Sequence, residues 1–198
     1  MKKICFLILA ALISTVSMAQ TAKSVLDKAA AQITVKEGVK ANFKMKGGIG
    51  NASGTILIKG KKFNATTPKA IVWFDGKTMW TYLKDNEEVN VSNPSEAQLQ
   101  AINPYNFINL YKNGYNSTLN TTGSAYVVHL TSNTKDQKIK ELFITIDKKS
   151  YHPTQVKLLQ GKSWTVFDIS DLSKSTLADS QFRFNANDFP KAEVIDLR

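Results

Sequence analysis

The stretch from Lys69 to Val91, KAIVWFDGKTMWTYLKDNEEVNV, constrains this chain more than any other. Two apolar runs meet at Asp75-Gly76, and a more polar run follows around Glu88 to Val91. Asp-Gly between alternating hydrophobics is a strong hairpin signal, because a type I′ turn needs positive φ at both central residues. With those two residues as the loop, Trp73 faces Thr78 and Ile71 faces Trp80. Side chains alternate faces with period two, so Ile71, Trp73, Thr78, Trp80 and Tyr82 share one side of the sheet. Val72, Phe74, Met79 and Thr81 take the other. Both faces are apolar, and each is expected to be covered.

The rest of the chain is mostly strand. Only Thr21 to Thr34 reads as a clear early helix, with Val25, Leu26, Ala29, Ala30 and Ile33 on one stripe and Lys23, Asp27 and Lys28 opposite. Val39 to Lys46 alternates Val39, Ala41, Phe43 and Met45 with lysines and an asparagine, the pattern of a half-buried strand. Further strands are expected at Gly54–Lys59, Phe63–Thr66, Asn116–Thr121, Ser124–Thr131, Ile139–Asp147, Thr154–Leu159 and Ser163–Leu172. Phe182 and Phe184 alternate with Arg183, and Val194-Ile195 follows a turn at Asn187–Pro190. Between Pro94 and Tyr115 the alternation breaks. Ser95 caps a short helix through Leu99, and Asn103-Pro104 begins an apolar helical stretch with Tyr105, Phe107, Ile108, Leu110 and Tyr111. The total is ten or eleven strands with one early and one or two middle helices. Antiparallel strands in that number close or curl into a barrel to hide their edges, and the middle helices suggest a lid.

At the N-terminus, Lys2-Lys3 precedes an apolar run from Ile4 to Ile13, and Ser17-Met18-Ala19 gives a small-x-small site before Gln20. Residues 1–19 are therefore expected to be a cleaved export signal and residues 20–198 a single domain. The one cysteine, Cys5, leaves with the signal, which removes disulfides, thiol nucleophiles and thiolate metal sites from consideration. The formal net charge is +10, yet the lysines are scattered and only Arg183 and Arg198 are arginines. That is poor equipment for bidentate phosphate or base contacts, so a solvated basic surface is expected rather than a nucleic-acid partner.

Catalytic patterns are missing. His129 sits on the opposite strand face from Tyr126, Val128 and Leu130, and His152 precedes Pro153 in a turn; neither has metal-ligand spacing. Gly76-Lys77-Thr78 lacks the upstream glycine of a phosphate loop, since Ile71 stands in its place, and strand rather than helix follows. Glu87 and Glu88 are adjacent in an extended run and point to opposite faces. No enzyme activity, cofactor or metal is expected.

Periodicity does not distinguish a barrel filled by Trp73, Trp80, Trp164 and Phe43 from a hollow one. A family resemblance bears on that choice. Phe74 to Tyr82, FDGKTMWTY, followed by Glu87-Glu88-Val89, resembles a segment of LolA, the periplasmic carrier of outer-membrane lipoproteins. Leu26-Asp27-Lys28, Phe43-Lys44, Gly54 to Lys59, Asn103-Pro104-Tyr105, Lys140 to Ile146 and Phe182 to Asn185 are similar to further pieces of that family in the same order. The resemblance implies a mainly β fold: an unclosed antiparallel β-barrel of about eleven strands lidded by about three α-helices. It also implies a periplasmic monomer that takes acylated lipoproteins from an inner-membrane ABC transporter to an outer-membrane acceptor. On that reading Phe43, Leu57, Ile71, Trp73, Trp80, Tyr82, Ile144 and Trp164 line the acyl-chain cavity, and Tyr105, Phe107, Ile108 and Leu110 belong to the lid. A carrier of another lipid or glycolipid, or an envelope-stress sensing domain, are the alternatives on the same fold. Where the family often has an arginine-proline that latches the lid, this chain has Gly60-Lys61-Lys62, so its latch is expected to differ.

Overall fold

The computed structural model describes residues 20–48, 50–95, 98–99, 110–112 and 114–198. Helix α1 spans Ala22–Ile33; Thr21 caps its first turn by accepting the Ser24 amide through its hydroxyl oxygen. Twelve strands follow: β1 Val39–Gly47, β2 Ala52–Lys59, β3 Lys62–Thr66, β4 Ala70–Phe74, β5 Met79–Leu83, β6 Glu88–Ser92, β7 Tyr115–Thr122, β8 Ala125–Ser132, β9 Ile139–Asp147, β10 Pro153–Gln160, β11 Ser163–Lys174 and β12 Glu193–Asp196. They form one sheet in the order β12-β6-β5-β4-β3-β2-β1-β11-β10-β9-β8-β7. Pairing is antiparallel except that β12 runs parallel to β6. The two ends do not pair with each other, so the sheet is an unclosed barrel that curls around α1. The twelfth strand is the pair Val194-Ile195, extended by one residue at each end.

The helix stripe explains the curl. Val25, Leu26, Ala29 and Ile33 are buried against Val39 and Ala41 of β1, Ile56 and Ile58 of β2, Phe63, Phe74, and the Val128, Leu130, Leu142, Ile144 and Ile146 set of β8 and β9. Each of these strand residues sits on the face that register assigns to the concave side, running Val39↔Ile58↔Phe63↔Phe74 through four strands. Burial of a Leu, Ile or Phe side chain is worth about 1.5–3 kcal/mol, and this cluster gathers most of the fully buried ones.

Two expectations need correction. The hairpin loop is four residues, not two: Phe74 pairs with Met79 and Trp73 with Trp80. The carboxylate of Asp75 accepts the amides of Lys77 (3.0 Å) and Thr78 (2.9 Å), and only Gly76 has positive φ. An aspartate that caps its own turn in this way competes successfully with the type I′ geometry. The slip is two residues, so each strand side chain keeps its face. Second, Phe182 to Phe184 is not a strand; Asp179–Phe182 is a 3₁₀ turn, and another lies at Ala186–Asp188. Among the described residues α1 is the one full α-helix, with a third 3₁₀ turn at Leu110–Lys112. Of the expected lid residues, Tyr105, Phe107 and Ile108 lie outside the described residues, and Leu110 is buried against the core.

Candidate functional site

The sheet has two apolar faces, and they do different things. On the concave face, beyond the part covered by α1, a half-buried apolar stripe crosses six adjacent strands, β5 to β1 and β11. It consists of Met79, Val72, Ala65, Phe43, Met45, Ile169 and Phe167, whose cross-strand neighbours follow from the register Phe43↔Ile169, Met45↔Phe167, Ala65↔Val72 and Phe74↔Met79. Between Ala65 and Phe43 the stripe is floored by Gly54, the partner of Phe43. A Cβ at Gly54 would stand 1.9 Å from the Thr66 carbonyl oxygen, so glycine lets the end of β3 approach β2 closely there. At one end the stripe opens on a groove of about 390 Å³ with Met45, Ala52 and Pro68 in its wall and Lys44, Lys46 and Lys69 around it.

Leu99, Leu110 and Tyr111 pack against the same core from the segment expected to form the lid. Tyr111 donates its hydroxyl hydrogen bond to the Asp27 carboxylate on α1. That bond first, and then Lys23 at 2.9 Å, hold the Asp27 carboxyl below its ordinary value, while burial and the same bond push the Tyr111 hydroxyl up. The pair ties the end of the lid segment to the helix without an arginine.

On the convex face Leu57, Ile71, Trp73, Trp80 and Tyr82 are gathered, with Val89 and Val91 beside them. They are covered by the C-terminal strap, residues 175–192, which leaves β11 and ends in β12. Phe182, fully buried, sits on this face, and Phe184 and Phe189 make edge-on contacts with Trp73 at 5.7 and 5.6 Å. Phe189 also lies 4.7 Å from the Tyr82 ring, and the Arg183 guanidinium stands over Trp80. The strap is held by Lys59, which donates to the Leu177 carbonyl (2.7 Å) and pairs with Asp179, by Lys62 on the same carboxylate, and by Arg183 to Asp75 at 3.2 Å.

The eight residues expected to line one wall therefore do not converge. Phe43 and Ile144 face the concave side, Ile144 fully buried under the core. Leu57, Ile71, Trp73, Trp80 and Tyr82 face the convex side under the strap. Trp164 is also convex, in a row with Lys157 (4.4 Å), Phe143 (6.0 Å) and His129. The physical reason is that β4 and β5 are apolar on both faces, so alternation alone does not choose between them. Sequence reasoning misses the concave residues Met45, Val72, Met79, Phe167 and Ile169. The signal for them is present in β1, whose lysines mark the outer face, and in the two-residue Gly60-Lys61 turn that carries the register from β2 to β3.

His129 is on the convex face as expected, stacked on Phe143 at 4.1 Å and 2.7 Å from Glu141. Among the described residues no group of three His, Cys, Asp or Glu side chains is placed to hold a metal, and no helix is long and apolar enough to cross a membrane.

A family model described as outer membrane lipoprotein carrier protein LolA matches residues 12–162. This chain belongs to the LolA family. The match ends at Lys162, so β11, the strap and β12 lie beyond it. Among solved structures, an uncharacterized conserved protein from Thermus thermophilus is similar over 89% of this chain and 99% of its own, with a TM-score of 0.59 at 12% identity. A LolA superfamily protein from Nitrosomonas europaea covers 84% of this chain and 99% of its own, with 16% identity and a TM-score of 0.46. The Pseudomonas aeruginosa MucA/MucB complex matches 83% of this chain and 61% of the solved one, with 15% identity and a TM-score of 0.45. No curated protein matches the sequence. The first of these likenesses shows a shared fold.

Proposed function

We propose that this LolA-family chain shields lipoprotein acyl chains on the concave apolar stripe and shuttles them through the periplasm, with no catalytic step. Residues 1–19 would direct export and be cleaved, leaving the carrier domain 20–198. Cargo would come from an inner-membrane ABC transporter and pass to an outer-membrane acceptor. The observation that carries the reading is the stripe itself. Seven apolar side chains lie contiguous and half-buried on a face otherwise committed to core, and the described residues put no charged group among them. An acyl chain needs apolar surface without polar hooks, and a carrier needs that surface to be only partly enclosed. The Asp27–Tyr111 link supports a covering segment tied to α1. Gln20 also fits the cleavage site. Its amide donates to the Tyr151 hydroxyl and its carbonyl accepts from Tyr126, so a chain cut after Ala19 keeps both bonds.

The test is displacement of a fluorescent apolar probe from the purified protein by an acylated lipoprotein, compared with the same lipoprotein lacking its acyl chains. Val72→Glu places a charge in the stripe, and Trp80→Glu places one on the convex face. Acyl-dependent displacement that is lost in Val72→Glu and kept in a folded Trp80→Glu is the expected result. Displacement by the non-acylated form, or loss confined to Trp80→Glu, would overturn the assignment of the stripe.

A further inference from the structure

Between the strap and the convex face lies a cavity of about 460 Å³, separate from the acyl-chain stripe. Leu57, Asn64 and Trp73 form its floor; Ser180, Gln181, Arg183, Asn185, Asp188 and Phe189 form its roof. The volume falls within the range of small-molecule sites, roughly 300–1,000 Å³. Both layers are fixed in place. The floor is three hydrogen-bonded strands. The roof consists of two 3₁₀ turns, closed locally by Gln181 accepting the Ala178 amide and Asn185 accepting the Asn187 amide, with Asn185 also donating to Asp188.

Two floor donors have no acceptor among the described residues. Asn64 is 9% exposed and its side-chain oxygen accepts from Thr66 at 3.2 Å, but its NH₂ group donates to none of them. Trp73 is 7% exposed, and its indole N–H likewise reaches no acceptor among them. No buried side-chain nitrogen is left unsatisfied among the described residues, so both groups open onto accessible space, and the cavity they line is that space. A donor that faces a cavity with no protein acceptor there is satisfied by water, or by the acceptor of a ligand that takes the water's place, so the two groups mark where such a ligand would be held. The roof adds the Ser180 hydroxyl, the Gln181 amide and the Arg183 guanidinium as donors, and the Asp188 carboxylate as acceptor. Leu57, Trp73 and Phe189 supply the apolar walls.

The charge balance narrows the ligand class. Arg183 is already paired with Asp75, and Asp188 stands in the same roof, so an anion meets a carboxylate and a cation meets a guanidinium. A neutral ligand fits both. It must offer several acceptors, at least one donor, and apolar ring surface for the aromatic walls. We infer that this cavity binds a neutral sugar ring, whose hydroxyls both donate and accept and whose C–H faces pack on aromatic rings. The ring would arrive as a free saccharide or as the headgroup of a glycolipid. The roof of the site is the strap, beyond the family match, while its floor lies within it, and the inference does not depend on the acyl-carrier reading.

The experiment follows the Asn64 side-chain NH₂ and Trp73 indole N–H signals in ¹H–¹⁵N spectra of the purified protein. The probes are glucose, galactose, mannose and N-acetylglucosamine, with octyl glucoside below micelle formation as the headgroup arm and glucuronate as the anionic control. Saturable shifts of both signals by at least one neutral sugar are expected, with a dissociation constant on the order of 1 mM, equivalent to about 4 kcal/mol. Asn64→Leu and Trp73→Phe, each checked for an unchanged melting curve, should each weaken binding about tenfold or more. Filling the concave stripe with the apolar probe should leave the shifts intact. Tighter binding of octyl glucoside with the same two signals moving assigns a headgroup; equal binding assigns a free saccharide. Absence of shifts with every neutral sugar, preference for glucuronate, or binding indifferent to both substitutions overturns the inference.

Discussion

Phe182→Ala tests whether the strap is an integral cover of the convex face or a loosely attached tail. Phe182 is fully buried and lies in the 3₁₀ turn that packs on β3 and β4. Truncation removes the transfer free energy of a phenyl ring and leaves a void between strap and sheet, together about 3–5 kcal/mol. A domain of this size has about 5–15 kcal/mol in hand, so the loss is large but survivable. The remaining anchors limit how it is expressed. Leu177, the Lys59 and Lys62 pairs with Asp179, and the Phe189 contacts are individually smaller, the ion pairs being largely solvated. The strap should therefore undock before the sheet melts. Urea unfolding followed by tryptophan emission should show a lowered midpoint, and limited proteolysis should cut between residues 178 and 192 at native-favouring urea. A loss below about 1 kcal/mol with no new cleavage would refute the reasoning, because it would mean that the aromatic face does not need its cover.

Gly54→Ala should cost about 3 kcal/mol or more in urea-unfolding free energy, since the added Cβ meets the Thr66 carbonyl oxygen at 1.9 Å and backbone rather than a side chain must yield; an unchanged midpoint would refute the close approach. Tyr111→Phe should cost about 1 kcal/mol at neutral pH, a charge-assisted bond discounted for the exposure of Asp27. Because the folded Asp27 carboxyl lies below its ordinary 3.8, the stability that it contributes is present above that value and lost as pH falls through the folded value. The wild-type and Tyr111→Phe unfolding midpoints should therefore converge as pH falls below about 3.8, and a difference that persists in strong acid would place the effect elsewhere.

The strands are readable in the sequence because their turns and alternation agree. Ile139–Asp147 appears at its expected bounds, and most others differ by one or two residues at an end. Helix α1 is equally plain from its stripe. The hairpin loop differs because an aspartate that caps its own turn looks the same in sequence as a type I′ Asp-Gly, and only the pairing distinguishes them. The site differs for a related reason. Trp73, Trp80 and Tyr82 are the largest side chains on the hairpin, but size does not say which face encloses a cavity. In a strand buried on both sides the answer comes from register passed along from a one-sided neighbour, here β1. The strap has no local pattern that would place it. Its Phe182, Phe184 and Phe189 have neither helix nor strand period, and their partners lie about a hundred residues earlier in the chain.

The concave stripe has a consequence for affinity. Complete transfer of one methylene from water is worth about 0.8 kcal/mol, or about fourfold in binding per carbon. A multiply acylated anchor bound on those terms would approach the ceiling of about 18–21 kcal/mol known for non-covalent complexes, and release would be too slow for a shuttle. The side chains of the stripe are half-buried rather than enclosed. A chain lying on such a surface loses contact with water on one side only, so each methylene should contribute about half the full value, close to twofold in affinity. Saturated fatty acids of increasing length, used to displace the apolar probe, measure that slope directly. A slope near twofold per carbon fits an open trough that can hand its cargo on. A slope near fourfold through the longest chains would mean an enclosed cavity, and the release step would then require the cover to open. A flat series would mean that the stripe does not bind acyl chains.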